Sequence, residues 1–240
     1  MSAKKVALVT GANKGIGLET VRQLAPLGYT VLLAARDSAR GEAPAAQLRK
    51  QGHDVQFLKL DVGSDADRKA AAKFIADTFG KLDVLINNAG VLEHGYTTPS
   101  TVPVDVIRKT FETNFFSLIA LTQELLPLVK KSPAGRIVNL SSILGSVTAN
   151  ATGQVGDFRL VGYNASKAAV NVFSVLLAQE LKDTAVKVNA AHPGWVKTDM
   201  GTDAAPLEVV DGAKTSVRLA TLPADGPTGG FFHLNDPLPW

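Results

Sequence analysis

Short runs that are apolar at every position, such as Val6-Ala7-Leu8-Val9 and Val84-Leu85-Ile86, recur along the chain between longer amphipathic stretches. A strand with one solvated face alternates polar and apolar residues; one that is apolar throughout has to be covered on both faces. Such strands alternating with helical stretches are the pattern of a parallel sheet wrapped by crossover helices. The spacing predicts strands over residues 6–10, 30–35, 54–59, 84–87, 136–141 and 187–192, and helices over 16–27, 38–51, 65–79, 104–130 and 163–181. A further helix near 207–220 and a short strand around Phe231-Phe232 would close the sheet. The expected fold class is α/β, a doubly wound parallel sheet in a single domain spanning 1–240.

Bulk composition narrows the chemistry. The chain has no cysteine, which excludes disulfides, thiolate metal sites and a cysteine nucleophile, and no metal site is expected. The opening Met-Ser-Ala-Lys-Lys runs into the first strand without an apolar segment long enough for a signal peptide or membrane span, so a soluble, cytoplasmic protein is expected. Twenty-five basic residues against 22 acidic ones give a net charge of +3, with no basic run of five, and nucleic acid is not expected as a partner.

Residues 10–17, Thr-Gly-Ala-Asn-Lys-Gly-Ile-Gly, lie between the first strand and the first helix, where a Gly-rich turn brings backbone amides to a pyrophosphate. The glycines are spaced Gly-x-x-x-Gly-x-Gly rather than Gly-x-Gly-x-x-Gly. Gly11 permits the turn and Gly17 close helix packing; a sharp turn with no ligand would use the same residues. At the end of the second strand an acid would bind the ribose hydroxyls of NAD, whereas a cation would accept a 2′-phosphate. Ala35 occupies the acid's place and Arg36 follows it, with Lys14 in the Gly-rich turn and Arg40 one helical turn on. These cations favour NADP(H) over NAD(H), although Asp37 could turn to the ribose or pair with Arg36.

Tyr163 and Lys167 are four residues apart in Tyr-Asn-Ala-Ser-Lys, on one face of a predicted helix, with Ser142 upstream at a strand end. A nearby ammonium favours phenolate and would lower the Tyr163 pKa towards the range useful to a general acid. Helix geometry alone does not distinguish that pair from surface decoration. Loops over 92–103, 143–162 and 195–212 each follow a strand at its carboxyl end, so they are either substrate walls or variable surface loops.

Taken in order, these segments resemble the short-chain dehydrogenase/reductases over almost the whole chain, and within them the carbonyl reductase-like branch. The resemblance rests on the 10–17 turn, Asp61-Val62, Asn87-Asn88-Ala89-Gly90, Asn114, Ser141-Ser142, Tyr163 with Lys167, and Pro193-Gly194-Trp195-Val196-Lys197-Thr198-Asp199-Met200. It implies a Rossmann-type sheet binding NADP(H) through Gly11, Asn13, Lys14, Gly15, Ile16, Gly17, Arg36, Arg40, Asp61, Val62, Asn88, Ala89, Gly90, Tyr163, Lys167, Pro193, Gly194, Val196 and Thr198. Asp61 and Val62 would contact adenine, and Thr198 would hold the nicotinamide amide. Ser142 would orient the substrate carbonyl, Tyr163 would donate its proton, Lys167 would bind ribose and acidify the phenol, and Asn114 would hold a relay water. Ser141 is the competing serine.

The implied activity is NADPH-dependent reduction of a ketone or aldehyde. The same residues would serve oxidation of a secondary alcohol, and a non-catalytic NADP(H)-binding sensor is the rival from another class. Ile143, Leu144, Trp195 and His94 are candidates for the wall around a small-molecule carbonyl compound, with Trp195 equally able to be a packing residue. The chain has more residues between Ser142 and Tyr163 than the family's shortest members, which suggests a small insertion between Gly145 and Gly162; the large insertion of monomeric carbonyl reductases is absent. Subunits in the family meet through the helices that are here 104–130 and 163–181, leaving monomer and homo-oligomer both open.

Overall fold

A computed structural model describes residues 4–93 and 98–240; His94 lies outside the described residues. The first half runs Lys5–Val9 (β1), Gly15–Leu24 (α1), Tyr29–Ala35 (β2), Ser38–Lys50 (α2), Val55–Lys59 (β3), Asp65–Phe79 (α3) and Val84–Asn87 (β4). Then follow Val104–Phe111 (α4), Ser117–Val129 (α5), Arg136–Leu140 (β5), Val147–Ala151 (α6), Val161–Glu180 (α7), Lys187–Ala191 (β6), Val209–Ala220 (α8), Phe231–His233 (β7) and Asp236–Pro237 (β8). The strands form one sheet in the order β3-β2-β1-β4-β5-β6-β7-β8, parallel except for the closing β7–β8 pair.

Alternate residues of the central strands feed two apolar layers. Ala7, Val9, Val31 and Leu33 face one layer with Val21 and Leu24 of α1 and Leu219 of α8. Val6, Leu8, Leu32 and Ala34 face the other, with Ile75 of α3, Leu121 and Leu125 of α5 and Leu177 of α7. This two-sided burial is why the strands read as unbroken apolar runs. The chain order reverses between β1 and β4, which opens a crevice at the carboxyl ends of those strands.

Two departures from the expected elements bear on function. The helix expected over 104–130 is interrupted by a π-helical turn, Glu112–Phe116, between α4 and α5. The Ser117 amide and hydroxyl both donate to the Glu112 carbonyl, a closure five residues long that admits one extra residue per turn. Asn114, fully buried, sits in that widened turn. The segment after β5 is also more ordered than a loop: Ser142 caps a 3₁₀ turn, Ile143–Gly145, and Ser146 caps α6 by accepting from the Ala149 amide at 3.0 Å.

The 3₁₀ turn lies directly on α7. A Cβ added at Gly145 would stand 2.6 Å from the Lys167 carbonyl carbon and 2.8 Å from the Ala168 nitrogen, backbone atoms that cannot rotate away. Gly145→Ala should therefore destabilise the protein by about 1–3 kcal/mol, the usual cost of overpacking. Thermal unfolding measures this, and a midpoint matching that of the unsubstituted protein would contradict the close approach.

Candidate active site

The Gly-rich turn is held from the β4 side. Asn88 Nδ2 donates to the carbonyls of Thr10 (2.8 Å) and Gly11 (3.2 Å), while the Asn88 and Ala89 amides both donate to Thr10 Oγ1 at 3.0 Å. A side chain at Gly17 would run into Asn88 Nδ2 at 2.5 Å and the Gly11 carbonyl oxygen at 2.6 Å, so the first turn of α1 packs against this clamp. No side chain caps the N-terminus of α1, leaving its leading amides open to an anion. Ile16 anchors the helix on the core and Asn13 is half-buried. From the far side Thr198 approaches Gly15, its Cγ2 lying 3.4 Å from where a Cβ would stand, and Lys14 pairs with Asp199.

At the end of β2, Arg36 is exposed and forms no ion pair among the described residues. Asp37 is committed elsewhere: its carboxylate accepts the Arg40 amide at 3.0 Å to cap α2, and it lies 3.8 Å from Arg40 Nε. Among the described residues Arg40 rather than Arg36 is thus the partner of Asp37. Beyond β3, one Asp61 carboxylate oxygen accepts the Gly63 amide at 3.0 Å, and Val62 packs partly into the core.

Around Tyr163 the expected residues converge. Lys167, 4 % exposed, donates from Nζ to the Leu140 carbonyl at 2.7 Å and lies 5.6 Å above the centre of the Tyr163 ring. Ser142, near enough to the phenol to lower its pKa slightly, accepts the Leu144 amide on Oγ at 3.2 Å. Ser141 is turned away, donating to Asn171 Oδ1 at 2.6 Å, so Ser142 is the serine that meets the tyrosine. Asn114 accepts the Val91 amide at 2.8 Å and donates to the Val91 carbonyl at 2.9 Å and to Ser166 Oγ at 3.1 Å. Ser166 in turn donates to the Tyr163 carbonyl at 2.8 Å. A Cβ at Gly90 would stand 3.3 Å from Asn114 Oδ1 and 3.6 Å from Lys167 Nζ, so Gly90, Asn114 and Lys167 close one wall together.

The electrostatics correct one expectation. Part of Tyr163 remains accessible, yet protein surrounds it closely enough that desolvation pushes its phenol up to about 12, against the smaller lowering effect of the Ser142 hydrogen bond. The Lys167 ammonium, turned to the Leu140 carbonyl and standing over the ring face, does not outweigh that desolvation. Burial instead pushes Lys167 down to about 8.

Sequence reasoning passed over two participants. Phe158, in the segment between α6 and α7, meets Trp195 edge to face with ring centres 5.7 Å apart, and the Trp195 indole donates to the Gly201 carbonyl at 2.8 Å. Both rings are exposed. Asn164, beside Tyr163, donates to the Phe158 carbonyl and to Asn150 Oδ1, each at 3.0 Å, which ties this segment to the catalytic helix. An aromatic five residues before the tyrosine was the available signal. The second is His192, whose ring lies between Ile143 and Gly194; a histidine directly before Pro193-Gly194 marked it.

The lowered Lys167 pKa has a consequence for stability. Between pH 8 and its ordinary 10.5 the unfolded chain binds a proton there that the folded chain does not, so this lysine's contribution rises with pH and is lost as pH falls through 8. Tyr163, being raised, acts in the opposite sense above pH 10. Denaturant unfolding of the protein and of Lys167→Met at pH 7 and pH 10 should show the difference in stability moving in favour of the lysine by on the order of 2–3 kcal/mol. Parallel pH curves would show that the ammonium is not desolvated.

The short chain dehydrogenase family profile matches residues 5–208. Carbonyl reductase [NADPH] 1 of Bos taurus is 35 % identical over 280 aligned positions covering 100 % of this chain and 99 % of that protein. Short-chain dehydrogenase/reductase 1 of Saponaria officinalis is 32 % identical, covering 100 % and 97 %. Among solved structures, NADPH-bound carbonyl reductase from chicken fatty liver superposes with a TM-score of 0.86 at 28 % identity over 100 % of both chains. The carbonyl reductase Sniffer of D. melanogaster gives 0.87 at 28 % identity, covering 99 % of this chain and 100 % of its own. With its sheet order and the meeting of Ser142, Tyr163 and Lys167 beside a Gly-rich turn, this chain belongs to the short-chain dehydrogenase family, among its carbonyl reductase-like members.

Proposed function

We propose that the protein reduces a ketone or aldehyde to the alcohol with NADPH, the proton coming from Tyr163. The observation that carries this reading is the convergence of Ser142 and Tyr163 on a buried Lys167, whose Nζ lies 5.6 Å from the Tyr163 ring centre. A protein that only bound nucleotide would have no use for a proton donor held this way.

The residues fit the cofactor. The open amides of α1 suit a pyrophosphate, and Gly17 lets the first turn of α1 pack close against the Gly-rich turn. Arg36, with Lys14 and Arg40 nearby, suits a 2′-phosphate, and the neighbouring Asp37 already accepts the Arg40 amide on one oxygen. Asp61 and Val62 would flank adenine, Asn88, Ala89 and Gly90 the groove, and Pro193, Gly194, Val196 and Thr198 the nicotinamide. Bound NADPH supplies the hydride.

The chain's own residues then handle the carbonyl oxygen. Ser142 and Tyr163 hydrogen-bond it, and those bonds strengthen as charge grows on the oxygen, so they favour the transition state over the ground state. With its pKa near 12 the phenol is fully protonated at neutral pH, and an alkoxide is a stronger base than phenolate, so transfer runs towards alcohol. Lys167 keeps positive charge beside the ring as the proton leaves. Partly exposed Ile143 and Leu144, with the Phe158 and Trp195 rings, suit an apolar or aromatic carbonyl compound. Val172 and Leu176 on α7 and Phe116 beside α5 stand exposed, which supports pairing of two copies through these helices.

A spectrophotometric screen of NADPH and NADH oxidation against aldehydes, quinones, cyclic ketones and keto esters tests the reading. Tyr163→Phe should lower kcat by about a hundredfold or more with little change in NADPH affinity; retained carbonyl reduction would remove Tyr163 from the chemistry, and tight NADPH binding without oxidation on any substrate would favour the sensor. Arg36→Asp should move preference towards NADH, and an unchanged cofactor ratio would refute the role of Arg36.

A further inference from the structure

His192 follows β6, and its backbone is pinned from the neighbouring strand on both sides. Its amide donates to the Phe232 carbonyl at 2.8 Å, and its carbonyl lies 3.0 Å from His233 Nδ1. The two imidazoles pack with centres 5.1 Å apart. The His192 ring reaches the other way: Nδ1 is 3.3 Å from the Ile143 amide and 3.4 Å from the Gly194 amide. Both amides can only donate, so Nδ1 is the acceptor and the ring proton sits on Nε2. Burial, and after it the neighbouring His233, push this imidazole down to about 3, so it stays neutral at working pH.

The two amides belong to the two halves of the site. Ile143 follows Ser142 and opens the turn that Ser142 caps. Gly194, at φ 87°, bends the chain away from β6 towards Trp195, Val196 and Thr198, a left-handed conformation that glycine adopts without strain. We propose that His192 is a positioning residue whose ring nitrogen fastens the Ser142 turn to the Pro193-Gly194 bend, setting the spacing between the carbonyl-orienting hydroxyl and the nicotinamide-side loop. It touches neither substrate nor cofactor in this role, and the proposal rests on the reductase reading above only for its effect on catalysis.

Three substitutions separate this role from simple packing. Asparagine places Oδ1 where histidine has Nδ1 and readily accepts an amide two residues on; glutamine carries its acceptor one methylene further out, and leucine has none. His192→Leu and His192→Gln should lower kcat about ten- to a hundredfold, with the NADPH Kd within about threefold, while His192→Asn recovers most of the loss. Two readouts need no turnover. Nitrogen-15 spectra of the unsubstituted protein should show Nδ1 of His192 unprotonated from about pH 5 to 9, and hydrogen exchange at Ile143 and Gly194 should be slow in the His and Asn forms and at least about tenfold faster in the Leu form. A proton on Nδ1, or Asn and Leu variants that behave alike, would overturn the proposal. Failure of every carbonyl to be reduced would instead sink the reductase reading, leaving the ring-nitrogen and exchange results to judge His192 by themselves.

Discussion

The site is organised around one buried charge. Lys167 carries an ammonium into the space between β5 and α7, where a cation is costly unless something solvates it, and the solvating group is the Leu140 carbonyl at the last residue of the strand. That bond holds the strand end on the helix. Ser141 to Asn171 and the contact of Gly145 with the Lys167 backbone repeat the attachment on either side. Ser142 is placed because its neighbours are fastened to α7, and Tyr163 because it belongs to α7. The geometry between hydroxyl and phenol is therefore a by-product of how β5 and α7 are joined.

A second fastening works at the switch point between β1 and β4. Thr10 and Asn88 exchange hydrogen bonds through both side chains, so the Gly-rich turn is tied to β4 as well as to its own helix. This spends the Asn88 amide on the fold, and spends the Asp37 carboxylate likewise on the start of α2. Polar residues at the cofactor end are thus divided between those consumed in shaping the groove and those left facing it. Arg36 falls in the second group, Lys14 is shared with Asp199, and Arg40 is drawn towards Asp37.

Much of this was legible in the chain. Strands buried on both faces announce themselves as continuous apolar runs, so β1, β4 and β5 were placed within a residue of their observed ends. The helices were found by their period, but the π turn at Asn114 was not, since it depends on Ser117 reaching the Glu112 carbonyl and on Val91 arriving from β4. The segment from 143 to 162 reads as a loop because its capping serines look like ordinary polar residues until their amide partners are seen. The lowering of the Tyr163 pKa expected from Lys167 is outweighed by desolvation for a related reason. Spacing put the two side chains on one helix face, and the third group, the Leu140 carbonyl, then decided where the ammonium points.

The aromatic pair at the rim carries this further. Phe158 and Trp195 are 37 residues apart in sequence and come from segments that nothing in local propensity relates. Each is oriented by a bond of its own segment: Phe158 through its carbonyl to Asn164 next to Tyr163, Trp195 through its indole to Gly201. An edge-to-face contact of this kind contributes about 0.5–1.5 kcal/mol. Asn164 precedes Lys167 by one helical turn, and Trp195 follows the Pro193-Gly194 bend that the His192 ring faces. The rim is thus joined to Tyr163 and to the Pro193-Gly194 bend through short stretches of chain, irregular segments fastened to regular ones.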